Sequence, residues 1–111
     1  MPSFDTNAAI STTLDKSKEL AGILFKKFVN QAVDDTENFL RRSKDGVARA
    51  GLLYAEGKID RDDFEDLVLG KKDLAEMHAL KQTGLASATI DTFTNGVLQI
   101  FVDAAFAAVK F

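Results

Sequence analysis

The chain of 111 residues has no cysteine and no tryptophan, and only one histidine, one tyrosine and one proline. Each shortage excludes something. Without cysteine there is no disulfide, no thiol nucleophile and no thiolate-held zinc or iron–sulfur site. Such a chain suits a reducing compartment, and a cytoplasmic location is the expectation. With proline confined to position 2, no later residue breaks a helix by lacking an N–H. A lone His78 leaves no HExxH pair for a metal. The most apolar stretch, Gly96 to Phe111, is too short for a bilayer span and is interrupted by Gln99, Asp103 and Lys110. The opening Met1-Pro2-Ser3-Phe4-Asp5 has neither the basic patch nor the apolar run of a secretory signal. Positive charge is also in deficit, with 14 Lys and Arg against 17 Asp and Glu for a net of −3. General nucleic-acid binding needs a concentrated positive field, which this balance does not supply.

What is present is a folding composition: 46% apolar and 28% charged residues, read as one helical domain over 1–111. Charge is unevenly spread. Residues 1–58 hold nine cations against eight acids, and residues 59–111 hold five against nine. Two arms of opposite sign attract weakly, at a strength set by salt.

From Thr6 the apolar residues keep helical time. Ile10, Leu14, Ala21, Leu24, Phe25, Phe28, Ala32 and Phe39 share one face, while Lys16, Lys26, Lys27, Asn30, Asp34, Glu37 and Arg41 share the other. This predicts an amphipathic helix over about 6–45, roughly 57 Å long at 1.5 Å per residue. Gly46 is one candidate end, but Val47, Ala50 and Tyr54 extend nearly the same face to about 56. A second helix is predicted over 61–82, with Phe64, Leu67, Val68, Leu74, Met77 and His78 on its apolar side. Past Thr83-Gly84 the apolar face jumps around the axis, so a further helix is predicted over 85–111. Folding the chain about residue 58 sets Gly22 opposite Gly96 and Gly46 opposite Gly70, pairs that would allow close backbone approach.

The stretch GKIDRDDFEDL, residues 57–67, matches the second half of a calcium loop. Gly57, Ile59 and Asp63 take positions six, eight and twelve, but positions one, three and five fall on Leu52, Tyr54 and Glu56, two of which cannot ligate. The capping reading accounts for more of it. Gly57 supplies a left-handed helix end, Asp60 an N-cap and Asp63 the reciprocal partner three residues on, with Ile59 and Phe64 as a staple. Asp62, Glu65 and Asp66 fill the first turns, where negative charge is favoured. The same stretch resembles the short helical hairpin of the SHOCT domain, with its glycine, isoleucine, acids and phenylalanine. The likeness covers only that hairpin.

Other chemistry is sparse. Ser11, Thr12 and Thr13 have no base in a recognisable motif, and Gly70-Lys71-Lys72 is not a phosphate loop. The basic cluster Lys26, Lys27, Arg41 and Arg42 is interleaved with acids at 34, 35 and 37, and no aromatic on that face offers base stacking. The C-terminal helix has one cation on its polar strip, unlike a membrane-surface helix. The sequence predicts no catalytic residue, no cofactor and no metal.

In residues 93–111 the polar positions reduce to Asn95, Gln99, Asp103 and Lys110. A helix apolar around most of its circumference is normally buried on several sides, and a chain this short has few elements with which to surround it. The expectation is therefore an all-α, elongated helical hairpin or bundle completed by a second copy. It would be a non-enzymatic binding or scaffold protein that self-associates through its C-terminal helix and the apolar face of the first, most simply as a dimer, with Phe25, Phe28, Phe93, Ile100, Phe101 and Phe106 as packing or interface anchors. The alternative is a dedicated partner of another protein (an inhibitor, immunity protein or secretion chaperone) that caps the same helix.

Overall fold

The computed structural model describes residues 1–111 and is helical along most of its length. A short strand β1, Ser3–Phe4, leads into helix α1, Thr6–Leu24. The Asp5 carboxylate accepts a hydrogen bond from the Ala8 amide at 3.0 Å and caps the start of α1. Helix α2 is Val29–Ala55, α3 is Arg61–Leu69, α4 is the single turn His78–Lys81, and α5 is Ser87–Ala107. Gly70–Leu74 forms a 3₁₀ turn, and strand β2, Val109–Lys110, returns to pair antiparallel with β1. No helix is long and apolar enough to cross a membrane.

The expected helix over 6–45 does not exist as one rod. The chain reverses at Phe25–Phe28, so that α1 and α2 form a hairpin. Neither glycine nor proline drives the reversal. Phe25 takes an extended backbone, φ −128° and ψ 118°, and its ring is buried edge-on against Phe93 at 5.3 Å between centroids. Burying a phenyl ring gains about 1.5–3 kcal/mol, enough to select the turn over one more helical turn. Gly46 does not end a helix either, because α2 runs through it to Ala55.

The end of α2 follows the capping reading. Gly57 is left-handed at φ +76°, Lys58 N donates to Leu53 O at 2.9 Å, and Gly57 N donates to Tyr54 O at 3.0 Å. That crossed pair is a Schellman end. Asp60 Oδ1 accepts from Asp63 N at 2.7 Å while Asp63 Oδ2 accepts from Asp60 N at 3.3 Å, which closes the capping box at the start of α3.

The helix expected over 61–82 is broken. After the 3₁₀ turn, Met77 is left-handed at φ 46°, and α4 restarts on a cap borrowed from α2: the buried Asp35 carboxylate accepts from Ala79 N at 2.9 Å and Leu80 N at 2.8 Å. Gly84, at φ +83°, provides the predicted break before α5.

The chain thus runs up and down four times within 46 × 21 × 18 Å. α1 packs between α2 and α5, and residues 61–81 pack on the opposite sides of the same two helices. α1 can lie close to both because its buried positions are small and four residues apart: Ala9, Thr13, Ser17 and Ala21. Thr13, Thr36, Ser43 and Thr94 are buried with their hydroxyls donated to the carbonyl one turn back. Across the diagonal, α2 meets α5 through Phe39 and Phe101, edge to face at 5.7 Å. At the far end Phe4, Tyr54, Phe64 and Phe106 share a chain of ring contacts, and Arg61 lies 4.3 Å over Phe106.

The elements wanted for covering the last helix are therefore present in the chain itself. Ile90, Phe93, Val97, Leu98, Phe101, Val102 and Ala105 of α5 are all buried, and the strip Asn95, Gln99 and Asp103 is its solvent edge. Reversal at Phe25 turns the supposed single rod into two helices, which provides the extra wall that the sequence pattern concealed.

Candidate interaction surface

The six anchors expected from the sequence divide into two groups. Phe25, Phe93 and Phe101 are buried, Phe93 and Phe101 completely, so they anchor the chain's own core and present no surface to a partner. Phe28, Ile100 and Phe106 are half-buried; Phe28 and Phe106 pack against the same core, and Phe106 touches Tyr54 and Phe64. The pairing of Phe25 with Phe93 joins the end of α1 to the start of α5. None of these residues makes the last helix a sticky surface.

His78 departs from expectation. A continuous helix would put it on the apolar side, but the left-handed Met77 resets the helical phase. The imidazole is therefore exposed, with Nε2 against Glu76 Oε2 and Arg42 3.9 Å beyond the same carboxylate oxygen. That is a surface ion-pair chain, of little energetic weight. No group of three or more His, Cys, Asp or Glu side chains is placed to hold a metal ion. The Asp63 carboxylate, last ligand in the calcium-loop alignment, is committed to the Asp60 amide. The hollow between α1 and α2 is lined by Asn7, Ile10, Leu14, Glu37, Leu40, Arg41 and Lys44, one acid and two cations beside three apolar residues.

Neither glycine pair forms as expected. A Cβ on Gly46 would strike the end of the Lys71 side chain at 2.4 Å, but Gly70 meets nothing within 4 Å, so the expected close backbone approach of Gly46 to Gly70 is not formed. A Cβ on Gly96 would strike Leu20, whereas Gly22 meets nothing within 4 Å. The tightest approach was not foreseen: Gly51 lies under the Phe4 ring, 2.2 Å from where a Cβ would sit.

The feature that the apolar-face reading passed over lies on α2 and α3. Leu52 is 44% exposed and Leu67 is 45% exposed. Leu53 and Leu67 line one shallow groove with Gly46, Arg49, Ala50 and Lys71, about 200 Å³ in volume. The helical pattern predicts Leu67 on the buried side of its helix. It sits instead on the rim, because Phe64 and Val68 already fill the inward face. Helical phase carried a usable signal for Leu52: at 100° per residue it falls opposite the Phe39, Val47 and Tyr54 face of α2.

Charge surrounds this face in two blocks. Residues 41–49 and 70–73 hold six cations against two acids, and residues 56–66 hold six acids against two cations. All of these charged side chains are exposed or half-exposed. In the α2–α3 hairpin the first block lies at the open end and the second surrounds the connection. No protein-family model, curated protein or solved structure matches the chain, and a functional reading therefore rests on this geometry.

Proposed function

We propose that the protein is a non-enzymatic helical binding or scaffold protein that self-associates, and that it does so through the α2–α3 face rather than the C-terminal helix. The observation that carries the reading is the placement of Leu52 and Leu67, nearly half-exposed on adjoining helices, with Leu53, next to Leu52 in the chain, sharing a groove with Leu67. A single exposed leucine needs no explanation. Here leucines from two helices line one groove, whereas the more exposed Ile23 and Phe111 lie singly at the end of α1 and at the last residue, and paired apolar exposure is the pattern of a contact surface. The opposite charges at its two ends favour an occupant of matching polarity, and the chain itself has that polarity.

The test is sedimentation velocity over a wide concentration series, on the native chain and on Leu52→Glu and Leu67→Glu. Both leucines are surface residues, so the variants are expected to keep native circular dichroism. The native chain should shift toward dimer mass with concentration and both variants should stay monomeric. A native chain that remains monomeric throughout defeats self-association. If that monomer instead co-purifies stoichiometrically with a different protein in a Leu67-dependent way, the face serves the alternative function of a dedicated partner.

A further inference from the structure

Resting on the self-association reading, we infer that the second copy docks across α2 in antiparallel register about a two-fold axis passing between Leu52 and Leu53, with Arg49 of each chain facing the partner's Glu56. The argument is one of symmetry. An isologous interface pairs residue i with j and j with i, so a self-complementary face must carry opposite groups at equal distances on either side of the axis. Arg49 of α2 and Glu56, the right-handed residue that caps its end, are two turns apart, both exposed, and within about 20° of one another around the helix at 100° per residue; Glu56 also meets Lys58 of its own chain at 3.5 Å, an exposed pair of little energetic weight. The midpoint of Arg49 and Glu56 is the Leu52–Leu53 pair. An antiparallel crossing therefore sets leucine on leucine at the centre and cation on acid at both ends. A parallel arrangement would set Arg49 beside the partner's Arg49 and Glu56 beside the partner's Glu56, costing repulsion at each end.

α3 adds to the same polarity. Leu67 flanks the central leucines, and Lys71 lies on the Arg49 side of it, since Lys71 reaches over Gly46. The acids at 62, 63, 65 and 66 occupy the Glu56 side. The wider charge blocks thus repeat the sign pattern of the central pair, so the long-range field steers toward the antiparallel pose before contact is made. Residues 45–56 span only about 17 Å of helix, so the area is at the small end of the interface range and the complex is a weak, exchanging one.

The experiment is charge reversal within one chain, read by the dimer dissociation constant from sedimentation. Arg49→Glu places two acids together at each end and is expected to weaken the dimer by about tenfold or more. Glu56→Arg alone should do the same with two cations. The double variant Arg49→Glu with Glu56→Arg inverts both poles and should return the constant to near the native value. Raising salt should weaken the native dimer and strengthen either single variant, because screening removes attraction in the first and repulsion in the second. A native dimer whose constant ignores both reversals, or a double variant no tighter than the singles, overturns this docking register while leaving self-association standing. A native chain with no dimer at any concentration removes the underlying reading instead, so the two failures are distinguishable. Circular dichroism on all three variants guards against misfolding as the cause of a loss.

Discussion

Two glycines show how local space decides the sign of the same substitution. In a helix, alanine is favoured over glycine by about 1 kcal/mol, through backbone entropy in the unfolded chain. Gly22 lies in α1 with nothing within 4 Å of its absent Cβ, so Gly22→Ala is expected to stabilise by up to about that amount. Gly51 lies in α2 with the Phe4 ring where the Cβ would go. Gly51→Ala must push Phe4 out of its contact with Phe64 and pull on the two-residue pairing of β1 with β2. Its helix gain is then offset by lost aromatic packing, and it is expected to be neutral or destabilising. Urea denaturation compares the two variants. Amide hydrogen exchange at Asp5, whose N–H is donated to Ala108 O at 3.0 Å, should accelerate in Gly51→Ala and not in Gly22→Ala. An equal gain in both would mean that the Phe4 contact contributes nothing.

At the scale of elements, the sequence was most legible where local chemistry determines an end. Gly57, Asp60, Asp63 and Gly84 each do locally what their residue types favour, and the solvent edge of α5 is the polar strip that its pattern marks. The reversal at Phe25–Phe28 was hidden because Leu24, Phe25, Phe28 and Ala32 keep helical spacing whether the chain continues or turns back; only the burial of Phe25 on Phe93, sixty-eight positions away, decides it. The α4 turn was hidden for the same kind of reason. Its cap is Asp35, more than forty residues earlier and buried. Removing that carboxylate leaves two amide donors without a partner, a loss of about 1–3 kcal/mol. Asp35→Ala is therefore expected to lower the denaturation midpoint and to deprotect the Ala79 and Leu80 amides preferentially. His78→Ala, which removes only an exposed ion-pair member, should leave both unchanged. Uniform deprotection along α5 and α1 would show instead that Asp35 supports the whole bundle.

For the molecule as a whole, the question is whether folding and association are one event or two. An apolar C-terminal helix in a short chain suggested one event, with the core closed only by a second copy. The four passes of this chain close it alone: α5 is wrapped by α1 on one side and by residues 61–81 on the other, with Phe39 of α2 reaching it across the centre. Leu52 and Leu67 lie outside that core, so docking on them adds to a structure already complete. Mass action gives the consequence. A chain whose fold requires its partner has a melting midpoint that falls on dilution, whereas a folded monomer that dimerises weakly gains only RT ln(1 + [L]/Kd), which vanishes well below the dissociation constant. The melting midpoint should therefore be constant over a dilution series taken below the association range, and Leu67→Glu should melt within a degree or two of the native chain there. Phe101→Ala opens a cavity at the α2–α5 contact and should lose about 3–5 kcal/mol at every concentration. A native midpoint that keeps falling with dilution, with Leu67→Glu unfolded throughout, would mean that the second copy is part of the fold and that the leucine face is an extension of the core.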